Sequence, residues 1–67
     1  IGEHTTGDLE ETIVILRGRG EARIDNAKLQ IEANTILYIP PQTSHDIKNT
    51  GSVVLEYVFI TSKAENL

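Results

Sequence analysis

The sequence contains no cysteine, and its 67 residues include only two histidines and three aromatic residues, two tyrosines and one phenylalanine. Without cysteine, disulfides and thiolate metal sites are excluded. This absence fits the reducing cytoplasm, where we expect the protein to reside. No apolar run approaches the roughly 18 residues of a membrane-spanning helix, and no signal-like segment opens the chain. We therefore expect no membrane partner.

The chain also lacks an excess of basic residues. Ten acidic side chains stand against six basic ones, which gives a net charge of −4. A negative chain is poorly suited to the phosphate backbone, so we expect no nucleic-acid partner. Arg17, Arg19 and Arg23 are close together, but Glu21 and Asp25 are interleaved with them. Mixed signs of this kind are typical of a solvated strand face.

The length allows one small domain, residues 1–67. A domain of about 60 residues buries only about 60% of its unfolded surface. Folds of this size usually need a metal, a partner or further chain to be stable. Because the sequence opens on Ile1, a complete small protein and a trimmed piece of a longer one both stay open.

Apolar residues recur with the two-residue period of strands, and turn-forming residues interrupt them at short intervals. Two prolines after Ile39 cannot donate to a ladder, so we expect a rigid corner there, with His45 re-entering the sheet. The pattern predicts an all-β antiparallel sandwich or barrel with no helix. The expected strands are residues 12–16, 21–25, 28–32, 35–39, 45–48 and 53–60.

Two of these strands, residues 12–16 and 53–60, are apolar on both faces. A lone small sheet could not bury both faces, so a second sheet or a second subunit must cover them. We expect a homodimer, because closed two-fold symmetry is the commonest arrangement of soluble oligomers.

His4, Glu11 and His45 are the candidate metal ligands. Glu11 shares a strand face with Ile13 and Ile15, and His45 shares one with Ile47. Two imidazoles and a carboxylate suit Fe, Mn, Ni or Zn and leave coordination positions open. Two plainer interpretations compete with this one. A histidine at a strand start is often solvated or packed, and Glu11 could cap the strand edge beside Glu10.

The stretch "HTTGDLEETIVILRG", residues 4–18, resembles the first motif of the cupin superfamily. That motif reads G, five residues, H-x-H, three or four residues, E, six residues, G. Glu11 and Gly18 match it, and counting back from Glu11 places His4 at the first histidine. Thr6 replaces the second histidine.

The stretch from residue 34 to residue 49 resembles the second cupin motif: G, five residues, P-x-G, two residues, H, three residues, N. Pro40, His45 and Asn49 match it. Asn34 and Gln42 replace the two glycines, and asparagine is the mildest replacement where a left-handed backbone is needed.

The resemblance covers residues 4–60 and implies an antiparallel double-stranded β-helix, the cupin or jelly-roll barrel. It also implies a divalent-metal site at His4, Glu11 and His45, with Thr6 leaving one side to water or a ligand oxygen. Cupins usually carry one or two strands before the position of His4. Either this chain is truncated at its N-terminus or its barrel is short.

Cupins include dioxygenases, isomerases, storage proteins and sugar-sensing modules, and the fold does not choose among them. The resemblance, together with the surviving candidate ligands, implies a metal-containing domain that binds or acts on a small oxygenated molecule. The alternatives are a metal-free ligand-binding, sensor or oligomerisation module, and a metal-binding protein without turnover. Whether the protein is an enzyme stays open, because no separate general base is evident. Tyr38 and Tyr57 are candidates for ligand contact, although core packing also explains both.

Overall fold

The computed structural model describes residues 4–63, except for the side chain of His4. This part of the chain is entirely β-structure and turns, as the alternating pattern predicts. The strands are β1 (His4–Thr5), β2 (Leu9–Arg17), β3 (Arg19–Ile24), β4 (Ala27–Glu32), β5 (Ile36–Ile39), β6 (Ser44–Asn49) and β7 (Glu56–Lys63).

The strands form two antiparallel sheets. One has four strands in the order β1-β6-β3-β4, and the other has three in the order β5-β2-β7. Their inner faces enclose a single core of aliphatic side chains: Ile13, Ile15, Ala22, Ile31, Leu37, Ile39 and Ile47. The predicted jelly-roll class is therefore confirmed, and β2 is central because both β5 and β7 pair with it.

The corner after β5 is confirmed, and it moves the chain from one sheet to the other. β5 ends at Ile39 in the three-stranded sheet, and β6 begins at Ser44 in the four-stranded sheet. Prolines suit this change of sheet because they cannot donate to a ladder. The corner delivers His45 to the interior, where it is 2% exposed.

The last strand differs from its predicted position, since residues 53–55 lie outside it and residues 61–63 lie within it. The amide of Asn49 donates to the carbonyl of Val53 at 2.9 Å and accepts from the amide of Gly51 at 2.9 Å, which closes a wide loop before the strand. Pairing with β2 then carries β7 onward until Lys63 lies opposite Leu9. The loop thus sets the start of β7 and ladder pairing sets its end, and the apolar pattern predicts neither bound.

Gly18, the last position of the first motif, allows close approach of the backbone. Its φ is +88°, and a Cβ added there would lie 2.7 Å from the carbonyl oxygen of Val54. Only glycine fits such a left-handed position against another backbone segment. The β6–β7 loop can therefore lie directly against the end of β2.

The two non-glycine replacements in the second motif keep the backbone that glycine would adopt. Asn34 has a φ of 74° and Gln42 a φ of 57°. The amide of Gln42 also donates to the carbonyl of Gly7 at 2.8 Å, which fixes the corner.

We expect Gln42→Gly to stabilise the protein by about 0.5–1 kcal/mol, because glycine adopts this left-handed conformation without strain. The same change at Gln30, in the extended strand β4, should instead cost about 0.5–1 kcal/mol. Urea unfolding of both variants checks the pair. Destabilisation by both would show that the side chain of Gln42, which donates to Asp8 at 3.1 Å, outweighs the strain.

Candidate metal centre

Glu11 and His45 meet in the interior between the two sheets. Glu11 comes from β2 and His45 from β6, so each sheet contributes one side chain. The His45 Nε2 atom lies 3.1 Å from Oε2 of Glu11. Both residues are buried: His45 is 2% exposed and Glu11 is 9% exposed. The convergence expected from strand parity is therefore present.

The corner that precedes His45 also orients its ring. Nδ1 of His45 lies 3.2 Å from the backbone carbonyl of Thr43. A carbonyl oxygen can only accept a hydrogen bond, so this contact assigns the proton to Nδ1. Thr43 is itself buried, and its hydroxyl donates to the carbonyl of Pro41 at 3.0 Å. The corner therefore places a proton on Nδ1, and in the neutral ring Nε2 then carries a lone pair.

This tautomer creates an electrostatic requirement at the pair. In neutral imidazole the unprotonated nitrogen is an acceptor, and an ionised carboxylate is also only an acceptor. Two acceptors 3.1 Å apart in a buried site repel each other unless a proton or a metal cation lies between them.

The donor set fits a divalent metal. Imidazole nitrogen and carboxylate oxygen bind such ions at about 2.0–2.2 Å, so two ligands at roughly a right angle lie about 3 Å apart. The observed 3.1 Å separation agrees with that spacing. The contact of Nδ1 with a backbone carbonyl is also the usual outer partner of a metal-bound histidine. When bound, such an ion supplies a Lewis acid that polarises a ligand oxygen.

Glu11 and His45 form a pair rather than a larger cluster. Among the side chains that the structure describes, no three His, Asp or Glu residues come together as a metal-binding group. The third expected ligand, His4, has its backbone in β1 directly opposite His45 in the register. Its side chain lies outside the described part of the chain, so its role remains a prediction.

Thr6, which replaces the second histidine of the first motif, is engaged in holding the corner. Its hydroxyl donates to the carbonyl of Pro40 at 2.9 Å and accepts from the amide of Thr43 at 3.0 Å. Thr6 thus connects the segment after β1 to the residues that orient His45. The sequence pattern did not predict this role of Thr6. It also did not predict the role of Thr43, because that residue acts through its backbone carbonyl, which has no signature in a sequence.

The two candidate tyrosines lie on opposite sides of the three-stranded sheet. Tyr38 is 56% exposed, and its hydroxyl donates to Oε2 of Glu10 at 2.8 Å. This hydrogen bond to a carboxylate is the main cause that raises the pKa of Tyr38. Tyr57 is half-buried and packs against the core. Burial raises the pKa of Tyr57, and the charge of Glu11 raises it further.

One cavity of the described structure lies away from this pair. It has a volume of about 570 Å³ and is lined by loop residues such as Gly18, Thr50 and Ser52, together with Arg19 and Glu32. Arg19 and Glu32 pair at one end of the β3–β4 ladder, whereas His45 pairs with Ile24 at the other end of β3. The chemistry of the Glu11–His45 pair therefore lies apart from this cavity.

Comparison with known proteins identifies the family. Residues 1–61 match the sequence model of the Cupin domain family. This chain belongs to the cupin family, and the resemblance in the two motifs is confirmed.

Solved structures share the fold over nearly the whole chain. A predicted oxalate decarboxylase from Thermotoga maritima has a TM-score of 0.92 at 26% identity, over 96% of this chain and 56% of that one. A cupin protein from Bacteroides fragilis has a TM-score of 0.87 at 29% identity, over 97% of this chain and 55% of that one. An uncharacterized protein of Methanocaldococcus jannaschii is 45% identical over 47 residues, which are 70% of this chain and 38% of that protein. The chain thus spans about half the length of these solved structures and less of the curated relative.

The architecture also bears on membrane association. Within residues 4–63, no helix is long and apolar enough to cross a membrane.

Proposed function

We propose that this cupin domain holds a divalent transition metal, Fe, Mn, Ni or Zn, and binds a small oxygenated molecule at it. Glu11 and His45 are the central ligands. The proposal is carried by the geometry of the buried pair, in which Nδ1 of His45 faces a carbonyl while Nε2 lies 3.1 Å from the carboxylate.

His4 is the proposed third ligand. It is the register partner of His45 in the antiparallel pair of β1 and β6. Directly opposed residues of such a pair lie on the same face of the sheet, with Cβ atoms about 4.5–5.5 Å apart. A 2-His-1-carboxylate set leaves coordination positions open for a ligand oxygen.

Catalysis is one activity that such a metal site can support. The Thermotoga maritima protein is described as a predicted oxalate decarboxylase, and oxalate belongs to the class of small oxygenated molecules. In this chain the described side chains supply no histidine other than His45. A metal at this site would supply electrostatic stabilisation for a reaction.

Elemental analysis of the full-length protein, purified without chelator or affinity tag, tests the proposal. We expect about one equivalent of a transition metal per chain. Protein that carries no metal, and takes up none on addition of Mn(II) or Ni(II), would contradict it. That result would favour the metal-free alternative, a small-ligand-binding or sensor module in which a proton bridges Glu11 and His45.

We also propose that the protein is a cytoplasmic homodimer, joined through the outer face of the three-stranded sheet. Two cross-strand rows cover this face: Tyr38–Thr12–Ile60 and Ile36–Val14–Val58. Four of these side chains are large, apolar and strongly exposed: Ile36 at 68%, Ile60 at 64%, Tyr38 at 56% and Val58 at 46%.

The size of this face suits a second copy of the chain. Four large side chains expose on the order of 500 Å² of mostly apolar surface, near the largest patch seen on typical monomers. A standard interface buries about 800 Å² per partner, so the patch would form most of its centre. Glu10 lies at its margin, and its carboxylate already accepts hydrogen bonds from Tyr38 and Ser62.

A further inference from the structure

Three side chains of β7, which we call the β7 wall, lie beside Glu11 on the inner face of the three-stranded sheet. Thr61 is the register partner of Glu11, and Phe59 and Lys63 are its two diagonal neighbours on the same ladder. Alternate residues of a strand lie on one face, so all three share the inner face with Glu11. Directly opposed Cβ atoms are about 4.5–5.5 Å apart, and diagonal neighbours at about 7–8 Å are still within reach of aromatic and long side chains. The β7 wall therefore flanks the carboxylate of Glu11.

The β7 side of Glu11 is open, whereas its β5 side is closed. Ile39, the register partner of Glu11 on β5, is 1% exposed. In the β7 wall, Phe59 is 60% exposed, and both Thr61 and Lys63 are exposed. A small molecule can therefore approach the metal centre along the β7 wall and not from β5.

Lys63 makes one end of this wall cationic. Among residues 4–63, its ammonium group has no carboxylate within salt-bridge distance. A divalent ion held by Glu11 and neutral imidazoles keeps a net positive charge, because one carboxylate cancels only half of the charge of the ion. Two neighbouring positive centres, on a chain whose net charge is −4, favour an anionic ligand at this position.

Phe59 makes the other end of the wall apolar. Its exposed ring offers a surface against which a planar group can stack. Thr61 lies between the two ends, and its small side chain leaves room beside Glu11. Phe59 and Thr61 are about 7 Å apart along the strand, roughly the length of one substituted aromatic ring. A ring that packs on Phe59 can therefore carry its substituent to the position of Glu11.

We propose that the β7 wall binds small aromatic monocarboxylates. The ring packs against Phe59, and the carboxylate lies between Lys63 and the Glu11–His45 centre. The inference rests on the proposed function, because a metal at that centre supplies the second positive charge. It narrows the class of small oxygenated molecules to planar organic monoanions.

Backbone-amide NMR of the full-length, Zn(II)-loaded protein tests this site with three probes. They are benzoate, its neutral analogue benzamide, and acetate, which carries the same charge without the ring. We expect benzoate to shift the amide signals of residues 59–63 and to bind about tenfold more tightly than either analogue.

Two matched lysine variants test the cationic end. Lys63→Gln should weaken benzoate binding about tenfold, through loss of a charge-assisted contact, and leave benzamide binding unchanged. Lys48→Gln is the control, because Lys48 follows the buried Ile47 on β6 and so lies on the outer face. It should leave the affinity for benzoate unchanged.

Two further variants test the apolar end and the space beside Glu11. Phe59→Ala should weaken benzoate binding about fivefold and leave acetate binding unchanged. Thr61→Trp should fold normally, because Thr61 is exposed, and should block benzoate by filling the space. No benzoate-induced shift on β7, the result expected if a further segment of chain covers the wall, would overturn the inference. Equal binding of benzoate and benzamide, or equal losses in Lys63→Gln and Lys48→Gln, would also overturn it.

The same titration on metal-free protein separates the two proposals. If the protein fails to load Zn(II) but benzoate still shifts residues 59–63, the result counts against the metal centre alone, because Lys63 and Phe59 act without the ion. Normal loading with Zn(II) and no shift in either form would overturn the assignment of the β7 wall and leave the metal centre standing.

Discussion

Glu11→Gln should weaken binding of Mn(II) or Ni(II) by more than about 100-fold, whereas Glu10→Gln should leave it unchanged. Loss of a group that merely orients a metal ligand typically costs 10–100-fold in affinity, so loss of a ligand should cost at least as much. The two glutamates are adjacent in sequence, but β2 sends them to opposite faces. Glu11 contacts His45 in the interior. Glu10 lies on the outer face, where it accepts hydrogen bonds from Tyr38 and Ser62.

Isothermal titration of the full-length protein and both variants measures this difference. His45→Ala should match Glu11→Gln, because it removes the other member of the pair. Asp46→Ala is its control, since Asp46 is the next residue on β6 and contacts Arg23 at 3.6 Å instead. Equal affinity in wild type and His45→Ala, or equal losses in the two glutamate variants, would contradict a metal centre at this pair.

The second large effect concerns the dimer. Ile60→Lys should raise the dimer dissociation constant by more than 100-fold. Ile60 is 64% exposed and ends one of the two apolar rows on the outer face. The two-fold axis would place the new lysine in the interface twice, and burying an unpaired charge costs about 3–5 kcal/mol, which exceeds the 2.8 kcal/mol that corresponds to 100-fold.

Sedimentation velocity of the full-length protein checks this expectation. Val53→Lys is the matched control, because Val53 is 44% exposed but lies in the β6–β7 loop, outside both rows. We expect wild type and Val53→Lys to sediment as dimers and Ile60→Lys as a monomer. A wild-type monomer at high micromolar concentration, or a dimer that tolerates Ile60→Lys, would refute the proposed surface.

The strand period predicted that Glu11 and His45 both face inward, and the resemblance to the cupin motifs predicted that they converge. Each shares a face with isoleucines that must be buried, so parity sends both inward. The corner at Pro40 could also be predicted from the sequence, because proline cannot continue a hydrogen-bonded ladder. The positive φ at Asn34 follows from the tolerance of asparagine for that conformation, whereas the positive φ at Gln42 followed only from the motif comparison.

Features that depend on the backbone of distant segments could not be predicted. The carbonyl of Thr43 that orients His45 is such a feature, and so is the hydroxyl of Thr6 that holds the corner. The bounds of β7 were wrong for a related reason. Its start depends on the loop closed by Asn49, and its end on pairing with Leu9. Neither is visible in the local apolar pattern of residues 53–60.

Electron spin-echo envelope modulation of the Mn(II)-loaded, full-length protein tests the metal centre most directly, because it detects nitrogen bonded to the ion. We predict imidazole ¹⁴N modulation in wild type that decreases in His45→Ala and persists in Asp46→Ala. Stoichiometric Mn(II) without nitrogen modulation, or modulation that is unchanged in His45→Ala, would contradict the assignment of His45 as a ligand.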